Sequence, residues 1–284
     1  MIEKYLSPDN RIGDLPSPDS FLFNDSRTAL TFRFESGKRY LIRLVSTSAL
    51  ACTQFHIDQH TLTVVGIDGV KTQPTDADTI VICAGQSYDM VVTGRTGATK
   101  STQWIARMLT DMMTQDPPSD DLLCVIGTTI DGVLSTLGTL LGTIFGILTP
   151  KWVPQTVLDD QTLLPLDKTP IFRPVQQEIR LRTNQTYYEG IGTRIGLGVE
   201  PWVEPKIPSF YSALSTGDAA LDPTTYGQGV DPWVLGSNKI IQIYMENPQP
   251  WPHPMHLHGH EFQVSHLSRT SVSKLSTNIP KLRS

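Results

Sequence analysis

The chain has 284 residues, a formal net charge of −5 and 39% hydrophobic residues, enough for real cores in one large or two medium domains. The acid excess is mild and no Lys/Arg stripe with interleaved aromatics runs through the sequence, which excludes nucleic acid as the main partner. Twenty-one Gly and twenty-one Pro favour many short strands over long helices.

Met1-Ile2-Glu3-Lys4-Tyr5 carries no apolar signal-peptide core. From about Asp19 to Met108 the sequence reads as a run of strands. Thr31–Glu35 alternates cleanly, with Phe32 and Phe34 on one face. Ser36-Gly37-Lys38 turns into Arg39–Ser46. Phe55–Asp58, Leu62–Ile67, Thr79–Cys83 and Tyr88–Thr93 follow at short intervals, and Asp68-Gly69 is a hairpin signal. Short strands with turns between them predict a sandwich. Cys52, Cys83 and Cys124 form an odd set without CxxC spacing. A Cys52–Cys83 disulfide joining two strands and buried free thiols are both open. Two sequons, Asn24-Asp25-Ser26 and Asn184-Gln185-Thr186, are compatible with secretion.

Residues 109–121 are polar and acidic and suit an exposed linker. Leu122–Thr149 is built almost wholly of Gly, Thr, Leu, Ile and Val, with Gly138, Gly142 and Gly146 four apart, the small-residue spacing of packed membrane helices. It is long enough to span a bilayer, with Asp131 its only charge. A core-forming insert, or sequence foreign to the mature protein, are the other readings. Lys151–Pro174 is a Pro-rich connector. A second β-type region runs from about Gln176 to Val264. Its best strand is Lys239–Glu246, where Ile241, Ile243 and Met245 alternate with Ile240, Gln242 and Tyr244. Ser265–Ser284 is Ser-rich and basic, and is expected to be a disordered tail.

His253-Pro-Met-His256-Leu-His258-Gly-His260 places four of the seven histidines in eight residues. Imidazole is the commonest protein ligand for redox and hydrolytic metals. On an extended strand His256, His258 and His260 share one face while His253 points elsewhere, so one segment serves two metal centres. A hydrolytic zinc site would want an acidic partner where Gly259 stands. A fortuitous His-rich patch is the bland alternative.

These residues, continued by Glu261-Phe262, resemble the third-domain copper motif of the multicopper oxidase family, the laccase and ferroxidase group. Glu35–Ser46, Phe55-His-Ile-Asp-Gln-His60, Asp68–Pro74 and Ala84-Gly-Gln-Ser-Tyr-Asp89 resemble the second cupredoxin domain of fungal members. Pro205–Gly217 resembles the run before the third-domain copper strand. Leu122–Thr149 and the tail lie outside the resemblance.

The resemblance implies an all-β fold of cupredoxin-like Greek-key β-sandwich domains. It expects a copper-free second domain over 1–108, a linker with insert over 109–174, a partial third domain over 175–264 and the tail over 265–284. Copper is the implied cofactor, at type 1, type 2 and type 3 centres. His253 is expected at type 1, His256 at type 2 and His258 at one type 3 copper, while His260, His56 and His60 are not ligands. The implied activity couples one-electron oxidation of a small phenol, pigment precursor or metal ion to reduction of O2 to water, outside the cell or in the secretory pathway. The family's first-domain His-x-His motifs and its His-Cys-His motif have no counterpart here, so the chain alone is expected to be inactive. A non-enzymatic cupredoxin-fold protein with residual copper binding is the alternative. Lys206–Gly217 is closer to the iron- and pigment-related branch, yet Gln249-Pro-Trp-Pro before His253 lacks the carboxylates that would attract Fe2+. Membrane attachment would have to use 122–149.

Overall fold

A computed structural model describes residues 7–11, 13, 15, 18–28, 30–98, 101–110, 123–132, 156–198, 200–249, 253–266 and 273–278. They fall into two compact units: Ser17–Thr169 with Pro254–His258, and Met1–Pro16, Pro170–His253 and Gly259–Ser284.

The first unit is a β-sandwich. One sheet runs β1 (Thr31–Phe34), β9 (Cys124–Asp131), β8 (Thr102–Met108), β3 (Thr53–Ile57), β6 (Thr79–Ile82). The other runs β2 (Arg39–Val45), β7 (Ser87–Thr93), β4 (Leu62–Ile67), β5 (Val70–Ala77). Phe55, Ile57 and Trp104 from the first sheet meet Leu62, Val64, Met90 and Val92 from the second in one fully buried cluster. Phe34 joins this core and Phe32 packs against it, as the alternation of that strand requires. Asp68 and Gly69 both take positive φ, 48° and 85°, the paired left-handed geometry of a two-residue hairpin turn. Cys52 and Cys83 form a disulfide just beyond the Thr53–Ile82 end of the β3–β6 ladder.

The linker expected over 109–174 is corrected in two places. Cys124–Asp131 is strand β9, antiparallel to β8 and parallel to β1. It sits inside the sheet, so the sandwich does not end at Met108. The cause is partnership: a run of Thr and Gly offers no alternation to read, but its backbone fills a slot between two strands. Further on, Gln73 N–H donates to Leu164 O at 2.8 Å, Leu166 N–H to Lys71 O at 2.9 Å and Leu158 N–H to Thr79 O at 2.9 Å. Leu158 and Leu163 pack on the core, so 156–166 is bound to β5 and β6 despite its proline content. The helical membrane reading fails for 124–131. Among the described residues no helix is long and apolar enough to cross a membrane, and 133–149 lies outside them.

Asp131, the one charge in that apolar stretch, is fully buried. Its carboxylate accepts from His60 Nε2 at 2.9 Å, Arg95 N at 3.0 Å and Arg95 Nε at 2.9 Å. His60 Nδ1 also faces Asp58 O at 2.8 Å, so both ring nitrogens are engaged with the protein. Burial alone would raise the Asp131 carboxyl, but hydrogen bonds from His60 and then Arg95 outweigh it and hold the group below the ordinary carboxylate range.

The second unit contains one five-stranded sheet among the described residues. Its order is β11 (Gly192–Leu197), β10 (Gln177–Tyr188), β12 (Ile240–Glu246), β14 (Ser273–Asn278), β13 (Phe262–His266). Ile241 and Met245 are buried with Ile179 of β10; β10 and β12 run parallel. Between β11 and β12 stands a short helix, α1 (Ser209–Ser215), which exposes Phe210, Tyr211 and Leu214. Two boundaries differ from expectation. Residues 7–11, expected in the first domain, lie on the β10–β11 hairpin: Thr193 Oγ1 donates to Arg11 O at 2.8 Å and Tyr187 Oη to Pro8 O at 3.2 Å. The tail expected to be disordered from Ser265 supplies β14, antiparallel to both β12 and β13; a polar strand leaves no hydrophobic signature.

The disulfide spans 31 residues that the sheet already draws together, so its contribution falls at the low end of the range for such loops, about 2 kcal/mol. Melting the Cys52→Ser, Cys83→Ser protein beside the oxidised parent checks this. Equal melting temperatures would show that the sheet alone closes the loop.

Candidate metal centre

The histidine segment lies between β12 and β13 and is not a strand. Residues 253–257 have no regular structure, and His258-Gly259 turns with Gly259 at φ +74°. Pro254 has no N–H to give a ladder, and the left-handed glycine breaks extension. The shared face expected for His256, His258 and His260 is therefore corrected. His256 and His258 do come together, with Nε2 of one 3.4 Å from Nδ1 of the other and ring planes at 71°. His260 is exposed and belongs to the other unit. Two imidazole nitrogens at this spacing form a weak hydrogen bond, and either lone pair can instead be turned to a cation.

His256 rests on Gly85. A methyl built on Gly85 would lie 2.9 Å from His256 Cγ and 3.0 Å from Cδ2 and Nδ1. The ring occupies the space that a side chain would take.

His253 belongs to the other unit and is half-buried. Its Nε2 hydrogen-bonds Gln249 Oε1, and Gln249 Nε2 in turn donates to Gln185 Oε1 at 3.2 Å. The amide's own donor is thus engaged elsewhere, and its oxygen accepts from the imidazole. His253 therefore carries its proton on Nε2 and keeps the Nδ1 lone pair for a ligand. Burial pushes the imidazolium down, favouring the neutral, ligating form.

The two other histidines of the sandwich have structural partners. His56 is buried with Nε2 3.3 Å from Asp58 Oδ1, and His60 is held by Asp131. Cys52 and Cys83 are joined to each other, while Cys124 lies on β9. Among the described residues no group of three or more His, Cys, Asp or Glu side chains converges. The donor chemistry fits copper, since imidazole serves both its oxidation states. Only two nitrogens are brought together here, and His253 stands in the other unit. The sequence missed Gly85 and Gln249: a turn glycine and an amide carry no metal signature, and only spatial contact reveals them.

Two multicopper oxidase family models match residues 1–122 and 202–282. The second match runs well past Ser265, where the resemblance read from the sequence stops. The chain is 30% identical over 282 residues to the iron transport multicopper oxidase fetC of Epichloe festucae, covering 96% of this chain and 42% of that protein. It is 29% identical to the iron transport multicopper oxidase FET3 of Gibberella zeae, covering 99% and 44%, and 26% identical to FET3 of Saccharomyces cerevisiae, covering 95% and 41%. The chain thus spans less than half the length of these relatives. In fold it is similar to the crystal structure of Fet3p, a multicopper oxidase that functions in iron import, with TM-score 0.81, 23% identity, and coverage of 97% of this chain and 54% of that one. Against the laccase of Botrytis aclada the TM-score is 0.67 at 17% identity, covering 94% and 52%. The cupredoxin-like β fold follows from these likenesses.

Proposed function

The chain belongs to the multicopper oxidase family, and on that premise we propose that its His253, His256 and His258 are copper ligands of an oxidase that couples one-electron oxidation of a small reductant to reduction of O2 to water. The convergence of His256 and His258 to 3.4 Å is the observation that carries the reading. His253 serves a type 1 centre, His256 a type 2 and His258 a type 3. Copper supplies the single-electron acceptor and the site of O2 reduction. The chain's own residues fix the ligands: Gln249 holds the His253 proton on Nε2 and leaves Nδ1 available, and Gly85 leaves room for the His256 ring.

The reductant is assigned by charge. The polar groups joined to His253 are neutral amides, Gln249 and, through it, Gln185. A carboxylate beside the ligand would draw Fe2+ and favour Fe3+; amides do neither, which favours a phenol or pigment precursor. Iron is the second reading, supported by the names of the fetC and FET3 relatives. The Cys52–Cys83 disulfide supports an extracellular or secretory location.

By itself this chain brings three proposed ligand imidazoles out of seven histidines, and two of its three cysteines are joined in the disulfide. It is proposed to bind copper and to lack turnover when isolated, a cupredoxin-fold copper binder without the complete donor set. The test is a Cu2+ titration of the purified chain with a competing chelator, followed by visible absorption and O2 uptake with a phenol and with Fe2+. His256→Ala with His258→Ala is expected to lower copper affinity at least 10-fold, with no intense thiolate–copper band in the parent. Unchanged affinity in the double variant would sink the ligand assignment. A blue, oxygen-consuming chain would sink the incomplete donor set.

A further inference from the structure

We propose that Gly85 is a positioning residue for the copper ligand His256, and that the disulfide-anchored turn carrying it is the rigid seat of that imidazole. This rests on the reading of His256 as a ligand. The segment around His256 has no regular hydrogen-bonded structure of its own, so the ring's orientation must be set from outside. The Cys83–Gln86 turn is held on several sides. Gln86 N–H donates to Cys83 O at 3.1 Å, and Cys83 N–H donates to Gln86 Oε1 at 2.8 Å. Gly85 N–H donates to Ser46 O at 3.2 Å and Ser46 N–H to Gln86 O at 3.0 Å, tying the turn to the end of β2. Cys83 is bonded to Cys52. At the apex Gly85 takes φ +77° and turns a bare Cα to the His256 ring.

Two requirements meet at this residue. A left-handed φ disfavours any side chain, and the ring leaves no room for one, since a methyl would come within 3.0 Å of three ring atoms. A larger residue would push the imidazole away and open the 3.4 Å approach of His256 to His258. Ligands held by neighbours that do not themselves bind metal lose affinity when that support is removed, typically by about 10- to 100-fold.

Gly97 provides the control. It shares the left-handed backbone, φ +69°, but a methyl there meets nothing within 4 Å. Gly97→Ala carries the backbone strain without the collision. In the metal-free chain, NMR is expected to show a nuclear Overhauser contact between Gly85 Hα and the His256 ring. Gly85→Ala should shift the His256 ring signals and weaken Cu2+ binding, measured against a chelator, about 10-fold or more. Gly97→Ala should change neither. Absence of the Overhauser contact, or Gly85→Ala binding Cu2+ as the parent does, overturns the proposal. Copper affinity unchanged by His256→Ala overturns the ligand reading instead. In that case the Overhauser contact still decides whether Gly85 seats the ring.

Discussion

Replacing Asp131 with alanine lowers the stability of the sandwich by about 4 kcal/mol at neutral pH. The carboxylate is fully buried between two hydrogen-bonding partners, His60 and the Arg95 guanidinium. Its removal leaves the buried His60 Nε2 without an acceptor and frees Arg95 from the position that ties the end of β7 to the end of β9. The Arg95 side chain is 21% exposed and can turn to water, which keeps the loss from reaching the top of the range for broken buried pairs. At about 2–4 °C per kcal/mol for a unit of this size, the melting temperature should fall by roughly 8–16 °C. The pH dependence separates the charge from the packing. The folded carboxyl titrates below its ordinary value of 3.8. Its stabilisation is therefore complete above that value and is lost as pH falls through the depressed one. Thermal melts of Asp131→Asn and parent should differ most at neutral pH, and the gap should narrow once the pH falls below 3.8. A gap of constant size on the acid side of that value would show that shape, not charge, fixes the residue.

How much was legible in the sequence depended on whether a segment's partners were local. The β4–β5 hairpin was readable because Asp68-Gly69 encodes its own turn, and Phe32 and Phe34 because the strand alternates. Strand β9 was hidden. Its Gly127-Thr128-Thr129 centre shows no period, and its apolar flanks continue into a stretch whose composition suits a bilayer. What makes it a strand is the slot between β1 and β8, which no local pattern records. The N-terminal residues 7–11 and the polar β14 were missed for the same reason. At the candidate centre the histidines were plain from composition, and His256 and His258 were expected together on a strand face that the segment does not form. They meet in a segment without regular structure, not through the alternation of a strand. The family likeness was legible because copper ligation demands particular side chains at particular spacings. The neighbours that hold those histidines, Gly85 and Gln249, answer to three-dimensional contact alone.

Gly127→Ala, the smallest change available on β9, is expected to destabilise the sandwich by about 3 kcal/mol. Gly127 stands directly opposite Trp104 across the β8–β9 ladder, and a methyl there would overlap the indole at Cε2, Nε1 and Cζ2. The indole lies over the bare glycine, covering backbone that would otherwise lack a side-chain neighbour. It cannot retreat. Trp104 is fully buried among Phe23, Phe32 and Phe55, with ring centroids 4.6, 5.1 and 6.3 Å away, and its Nε1–H donates to Leu30 O at 2.9 Å. Trp104→Ala alone should cost about 4 kcal/mol through the cavity it leaves. The two losses should not add. Once the indole is gone the new methyl enters open space, so Gly127→Ala on the Trp104→Ala background should cost less than about 1 kcal/mol, a coupling of about 2 kcal/mol or more. Denaturant unfolding of the four proteins in this cycle measures it. Additive losses would mean that Gly127 is required for its backbone alone and that β9 is not seated against the indole.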